Sequence, residues 1–407
     1  MKAAVFAIFC LTYLLIAGRR LRILPIGRPA GALLGAVLMV AVGALTPEQS
    51  YAAIDHNTIV LLFGMMLLTG YLSRAGFFEW AAVRVLSACR TPCQLLLTLS
   101  AFAAVLSAFL VNDTVCIFLT PVVVATCLKA GLPMGPYLIA LATSANIGSA
   151  ATLVGNPQNM IIGSLSRFPF GEFMVRSGAA VIAGLLINAA LLWLYYRKKL
   201  PERFAEAPGP NPPVDRARLT LAGVVTVGVV TGFFAGLHLG YTTLAGVMVL
   251  VVAEREDSSD LFARVDWRLL VLFSSLFIVV EGLARTGIVE EAWAAARPQL
   301  SFDRPRGLFL FTGLMVLGSN VVSNVPMVLL SGPHLGELGS PQLGWVLLAF
   351  TTTVAGNLTI LGSVANIIVA EGARKHYQLG FLDYLRFGLV STVLVLAAGV
   401  PVVVWMS

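Results

Sequence analysis

The sequence predicts an all-α integral membrane protein made of two inverted-topology repeats, each of about five spans plus a re-entrant helical hairpin and a broken helix. Three observations carry this expectation. Apolar residues make up 58% of the 407-residue chain and charged residues only 12%, against roughly 25% charged in an ordinary soluble domain. Apolar runs of about span length recur from Ala3 to the C-terminus, matching the ~20 residues that cross a bilayer core. The second half also repeats the first at a spacing of 211 to 212 residues, and such internal periodicity is best sought before any local reading.

The first repeat covers residues 1–199. "AAVFAIFCLTYLLIAG" reads as its first span, near 3–18, because no small-residue cleavage site precedes "RRLR". Spans near 30–46 and 57–72 follow. "LLLTLSAFAAVLSAFLV" and "VCIFLTPVVVATCL" are each a little short and are joined only by Asn-Asp-Thr. They predict a re-entrant hairpin at about 93–128 that enters and leaves from one side. A broken helix at about 136–165 and a span near 177–196 complete the repeat. The polar, Pro-rich "RKKLPERFAEAPGPNPPVDRAR" supplies a cytoplasmic linker over residues 200–217.

The second repeat, residues 218–407, follows the same plan, with its hairpin at about 305–333 and its broken helix at about 342–370. Asp55 lies over Asp266, Arg74 over Arg285 and Gly76 over Gly287. Ser107 lies over Ser319, Asn112 over Asn324 and Pro121 over Pro333. Once four residues are skipped, Asn146 meets Asn357, Gly155 meets Gly362 and Asn159 meets Asn366. Five spans and one hairpin make an odd number of crossings, so the second repeat must enter the membrane upside down.

The distribution of basic residues gives the orientation. Placing Arg19, Arg20, Arg22 and Arg28 in the cytoplasm puts 20 of the 27 Lys and Arg residues on that side. Lys2, Arg167, Arg176, Arg285, Arg297, Arg304 and Arg306 remain outside. Both termini are then non-cytoplasmic, in a multi-pass protein of the cell (inner) membrane. The five cysteines, including the pair in "CRTPC", sit in or beside apolar runs and read as small packing residues.

Within this frame "SANIGSAATLVGNPQN", residues 144–159, carries three Asn, two Gly, two Ser, a Thr and a Pro inside an apolar run. Helix interiors at membrane depth satisfy their own backbone, so such a segment implies a broken helix lining an enclosed cavity. "AGNLTILGSVAN" does the same in the second repeat. Helix breaks and hairpin tips that meet near the midplane offer amide donors, carbonyl oxygens and half-helix N-termini. The substrate- or ion-binding candidates are therefore Asn112, Asp113, Thr114, Asn146, Thr152, Gly155, Asn156 and Asn159 in the first repeat. In the second they are Ser323, Asn324, Asn357, Thr359, Gly362, Ser363 and Asn366. Asn112, Asn146, Asn324 and Asn357 could hold Na⁺.

Asp113 and Lys129 are the only charges between Arg90 and Arg167, and Glu337 is the only one between Arg306 and Glu371. The site is nearly uncharged, which suits an oxyanion or a small neutral oxyacid held by amides and hydroxyls. Asp113 at membrane depth reads as a proton or ion relay, or as the N-cap of the second hairpin arm. No Ser-His-Asp grouping, phosphate loop or zinc spacing is present, so neither an enzyme, an ATP-driven pump nor a nucleic-acid binder is expected. No cofactor is expected beyond H⁺ or Na⁺ as a coupling ion.

"FLVNDTVCIFLTP" with "SANIGSAATLVGNPQNMIIG", and "SNVVSNVPMVLL" with "AGNLTILGSVANIIVAEGAR", resemble the ion transporter superfamily over nearly the whole chain. That superfamily includes the arsenite permease and NhaD-type antiporter branch and the divalent anion/sodium symporters. In the symporters the hairpin tips carry Ser-Asn-Thr, which binds Na⁺ and a substrate carboxylate. Asn112-Asp113-Thr114 and Ser323-Asn324-Val325 each retain part of that motif. The Asn-Asp tip and "AGFFEW" are more similar to the arsenite permeases, and the Gly155-Asn156-Pro157 and Gly356-Asn357-Leu358-Thr359 breaks to the anion transporters. The resemblance implies an elevator mechanism on a scaffold that in this superfamily often dimerises. The expected function is secondary active transport of a small anion or oxyacid, by antiport or symport with H⁺ or Na⁺. Arsenite or antimonite efflux is one form, dicarboxylate or inorganic anion transport another, and an uncoupled channel-like anion permease is the alternative.

Overall fold

The computed structural model describes residues 1–17, 27–204, 214–255, 257 and 259–407, and those residues are helical with no strand. Ten helices come from the first half. They are α1 (Lys2–Ala17), α2 (Arg28–Ala41), α3 (Pro47–Ala52), α4 (His56–Arg74), α5 (Phe77–Ala88), α6 (Pro92–Phe109), α7 (Asn112–Ala130), α8 (Met134–Ser149), α9 (Pro157–Ser166) and α10 (Phe170–Tyr196). Ten more follow in the second half. They are α11 (Arg216–Phe234), α12 (Leu239–Glu254), α13 (Ser259–Ala263), α14 (Trp267–Ala284), α15 (Ile288–Ala296), α16 (Pro305–Val322), α17 (Asn324–Ser331), α18 (Pro341–Ala355), α19 (Val364–Gly372) and α20 (Phe381–Met406), with α17 much shorter than its counterpart α7. Eight of these are long and apolar enough to cross a membrane.

Local sequence explains where the helices begin and end. Asp55 accepts from the Thr58 amide at 2.9 Å to cap α4, and its counterpart Asp266 caps α14 by accepting from Arg268. Past the ends of these two helices, Gly76 and Gly287 take φ values of +76° and +78°. That left-handed turn is open to glycine at little cost, and it recurs at matched positions of the two halves. Proline opens α6, α9, α16 and α18, where its missing N–H costs no helical bond.

The hairpin expected at 93–128 is α6 and α7, joined by Leu110 and Val111. The one expected at 305–333 is α16 and α17, with only Ser323 between them. Helix breaks fall between α8 and α9 and between α18 and α19. The span expected from residue 177 starts at Phe170 instead. Arg176 donates to Glu172 at 2.7 Å one turn away, and that internal pairing lets two charges sit in the first turns of an otherwise apolar helix. The short helices α5 and α15 are absent from the expected spans, because each is amphipathic and too short to cross a bilayer. Arg19, Arg20 and Arg22, and residues 205–213 of the expected linker, lie outside the described residues.

The halves interlock. α2 packs against α14 and α4 against α12, so in both cases a helix of one half lies on a helix of the other. Small residues permit the approach: Gly282 faces Met39, and Gly64 faces Thr243. α10 lies along α20, α7 on α19, and α17 on α9. In the first half α6 packs closely on α8, where a β-carbon on Gly148 would sit 2.3 Å from the Ala104 carbonyl oxygen. Gly148→Ala is therefore expected to destabilise by ~3 kcal/mol or more, at or beyond the top of the range for overpacking, since backbone cannot swing aside. Thermal unfolding in detergent measures it.

Candidate functional site

The first hairpin tip is tied directly to the first helix break. The Asn112 amide donates to the Gly155 carbonyl at 2.9 Å, and the Asn112 side chain donates to Asn146 Oδ1 at 3.0 Å. Asn146, on α8, then reaches across to the other half. Its Nδ2 donates to Asn357 Oδ1 and to Asn366 Oδ1, both at 2.9 Å, and its Oδ1 also accepts from Ser363 Oγ at 3.0 Å. Two donors and two acceptor positions are all that an Asn side chain has. Asn146 is thus saturated within the protein, and Asn357 donates onward to the Thr143 carbonyl at 3.0 Å.

Each break is held shut by one amide. Asn159 Nδ2 donates to the carbonyls of Ser149 and Thr152 at 3.3 and 2.9 Å. Its counterpart Asn366 donates to those of Gly356 and Thr359 at 2.7 and 3.0 Å. Carbonyls freed by a broken helix need donors where water is excluded, and these side chains supply them. Asn156 caps α9 by accepting from the Asn159 amide at 2.8 Å, while Thr152 Oγ1 donates to Ala108 and so ties the break to the hairpin. Gly155 and Gly362 are needed for the fit. A β-carbon would lie 2.2 Å from the Ser149 carbonyl at the first and 2.8 Å from the Gly356 carbonyl at the second.

Asp113 differs from the expected cap. The N-cap of α7 is Val111, with no side-chain bond, and Asp113 lies in the helix's first turn. Its carboxylate faces the Ala365 amide instead, in the first turn of α19 in the other half. Partial positive charge at that N-terminus favours the anion. Asp113 is the only Asp, Glu, Lys or Arg buried among the described residues. Val325 holds the matching place in the second hairpin, so the two tips are chemically unequal.

The tips meet around a cavity of about 20 Å³ lined by Asn112, Asp113, Gln158, Ser323, Asn324 and Ser363, with Pro157, Phe273, Val325 and Val364. That is room for about one water-sized group. Asn324 is 7% exposed and its Oδ1 has no hydrogen-bond donor. Ser107 and Ser319, matched positions on the two hairpins, have buried hydroxyls in the same state. Ser323 takes φ +72° and ψ 162°, a region left almost entirely to glycine, and strain of this kind clusters at ligand-binding sites. Of the sequence candidates, Asn112, Asp113, Ser323, Asn324 and Ser363 line this cavity. Thr152, Gly155, Asn156, Asn159, Asn357, Thr359, Gly362 and Asn366 build the breaks around it, and Thr114 is buried behind the tip.

Three further groups join the site without a signal of their own in the sequence. Thr353 Oγ1 accepts from Gln158 and Asn156 across the halves at 3.2 and 3.3 Å. Asn320 donates to the Ala355 carbonyl at 3.1 Å. Asn188 donates to Thr143 and Ser144 at 3.1 and 3.0 Å and accepts from Ser391 at 2.8 Å, bracing the segment that holds Asn357. Each is a polar residue on a largely apolar helix, where a packing role is the ordinary expectation.

Comparison with known proteins places this architecture. The profile of the CitMHS family, described as citrate transporter, matches residues 13–355. A Dictyostelium discoideum transporter named arsB is 32% identical, covering 94% of this chain and 88% of its own. The rice silicon efflux transporter LSI3 is 34% identical over 93% of each. A 46 kDa membrane protein of Mycobacterium leprae is 30% identical over 98% of this chain and 97% of its own. Among solved structures, the YdaH transporter of Alcanivorax borkumensis aligns over 91% of this chain and 88% of its own with a TM-score of 0.51 at 17% identity, which is a likeness of fold. An all-helical protein with eight candidate spans and transporters as its relatives over nearly full length is a multi-pass membrane transporter, and it belongs to the citrate transporter (CitMHS) family within the ion transporter superfamily.

Proposed function

We propose that this chain is a secondary active transporter of a small oxyacid, coupled to protons through Asp113. One observation carries the reading. The cavity between the tips presents a carboxylate and an unpartnered carbonyl oxygen, and no Lys or Arg is among its lining residues. A fully ionised anion brings only acceptors to such a site. An uncharged oxyacid brings hydroxyl donors for Asp113 and Asn324 and acceptors for the amides of the helix N-termini. The printed names of the rice and Dictyostelium relatives, silicon efflux and arsB, fit substrates of this kind. Silicic and arsenous acids are both uncharged hydroxy acids at neutral pH.

Sodium coupling is the second reading, favoured by Asn324 Oδ1 alone. Of the four amides considered for Na⁺, it is the one whose carbonyl oxygen lacks a donor, and Na⁺ at Asn146 would break bonds already made.

The two halves are proposed to lie inverted in the inner membrane, as repeats 1–199 and 218–407, with both termini outside. Contacts within the structure support that sorting. Lys2 pairs with Glu291, Arg297 with Glu337, and Arg176 donates to the Ser407 carbonyl, all from groups assigned outside. Arg74 pairs with Glu254 on the cytoplasmic side. An elevator-like movement on a homodimeric scaffold accompanies this reading, as the resemblance implies.

Counterflow in proteoliposomes tests the function. Trapped silicic or arsenous acid should accelerate entry of labelled germanic acid, a chemical analogue of silicic acid. Acceleration by citrate or sulfate and not by the oxyacids would overturn the substrate class. Substrate-dependent flux with no acceleration under any condition would indicate a channel.

A further inference from the structure

A second, larger cavity lies away from the hairpin tips. It measures about 530 Å³ and opens where α9 and α10 meet α4 and the α11–α12 turn, within the size range of small-molecule sites. Its inner walls are apolar and deeply buried, with Leu153, Met160, Phe170 and Phe233 each at most 4% exposed. Its rim is polar. Asn57 donates to Ser164 at 3.4 Å, and Asn57 Oδ1 lies 3.2 Å from His238 Nε2, so a hydrogen-bonded chain crosses from α9 to α4 and α12.

Arg167 stands on the same rim. It ends α9 with a left-handed φ of +53°, uncommon for a residue with a side chain. It has no ion pair or side-chain hydrogen bond among the described residues, whereas nearby Arg176 is engaged by Glu172. No Asp or Glu lines the cavity. The result is a positive charge at the mouth of an aromatic and aliphatic chamber, with no acidic partner among the described residues.

We propose that this cavity binds a small organic monoanion, its carboxylate on the Arg167 guanidinium and its apolar body between Phe170 and Phe233. A guanidinium is suited to a planar carboxylate, which it can meet with two parallel hydrogen bonds. The apolar walls offer an inorganic oxyanion nothing, and that distinction makes the ligand class specific. Binding here does not rest on the transport reading, because it can be measured without flux.

The test is a calorimetric titration of the full-length protein in nanodiscs with benzoate, its neutral isostere benzamide, and inorganic phosphate. Benzoate should bind saturably and benzamide at least ~10-fold more weakly, as expected when a charge-assisted pair is lost. Arg167→Gln should weaken benzoate by a similar factor, Arg167→Lys by less, and Ser164→Trp should block it by filling the chamber, with unfolding temperatures recorded for each. Equal binding of benzamide would overturn the proposal, as would full displacement of benzoate by equimolar phosphate, or no saturable binding below roughly 10 mM. The benzoate and benzamide comparison on the unaltered protein decides the matter even where a variant fails to fold.

Discussion

Asp113→Asn is expected to reduce pH-gradient-driven accumulation to the level of empty liposomes while leaving exchange of substrate for substrate in place. Exchange needs no net proton movement, whereas accumulation needs a group that loads and unloads a proton at the site. Asn keeps the shape of the side chain and an oxygen facing the Ala365 amide, but it cannot carry the proton. The stability change separates this role from a purely structural one. Replacing the carboxylate at the α19 N-terminus removes a charge–dipole contact worth ~0.3–1 kcal/mol, or about 2 in a partly buried geometry. A variant that unfolds only slightly earlier yet loses accumulation supports the relay. One that keeps gradient-driven uptake with an unchanged pH profile leaves Asp113 as a cap for the other half and moves the coupling to Na⁺ at Asn324.

The second large effect contrasts two asparagines that look alike in sequence. Asn146→Ala should cost ~3–5 kcal/mol and much of the yield of folded protein. It strips partners from Asn112, Asn357, Asn366 and Ser363 at once, and each buried group left unpaired costs ~1–3 kcal/mol before relaxation. Asn324→Ala should do the opposite, abolishing transport with the unfolding temperature nearly unchanged, since its Oδ1 has no protein partner to lose. Thermal unfolding followed by size-exclusion chromatography, alongside proteoliposome flux, reads both. An Asn146→Ala protein as stable as the parent would sink the view of that amide as the hub of the site.

The hairpins and breaks are legible in sequence because Asn, Gly, Ser and Pro inside an apolar run have few other uses at membrane depth. The repeat spacing then locates each partner without knowledge of the fold. Helices α5 and α15 are less legible. Their Glu79, Arg84, Glu290 and Glu291 break the hydropathy that marks a span, and a one-sided apolar face needs a packing partner to be interpreted. The partner of Asp113 is legible least of all. The spacing of Asx and Thr before an apolar run describes a local cap, but the carboxylate is drawn to an N-terminus in the opposite half. The same holds for the amides. Composition identifies Asn146, Asn324 and Asn357 as equals, and only three-dimensional contact separates the saturated ones from the one with an oxygen to spare.

The crossed packing of the halves also governs how the chain is made. α4 finds its neighbour α12, and α2 its neighbour α14, only after most of the intervening sequence has been synthesised. At ~5–20 residues per second, the interval before α12 emerges is of the order of ten to thirty seconds. During that time the faces at Gly64 and Met39 lack the α12 and α14 partners they have in the finished fold. The nascent first half is thus a ready substrate for membrane quality control, and it stays so until the ribosome has delivered its complement.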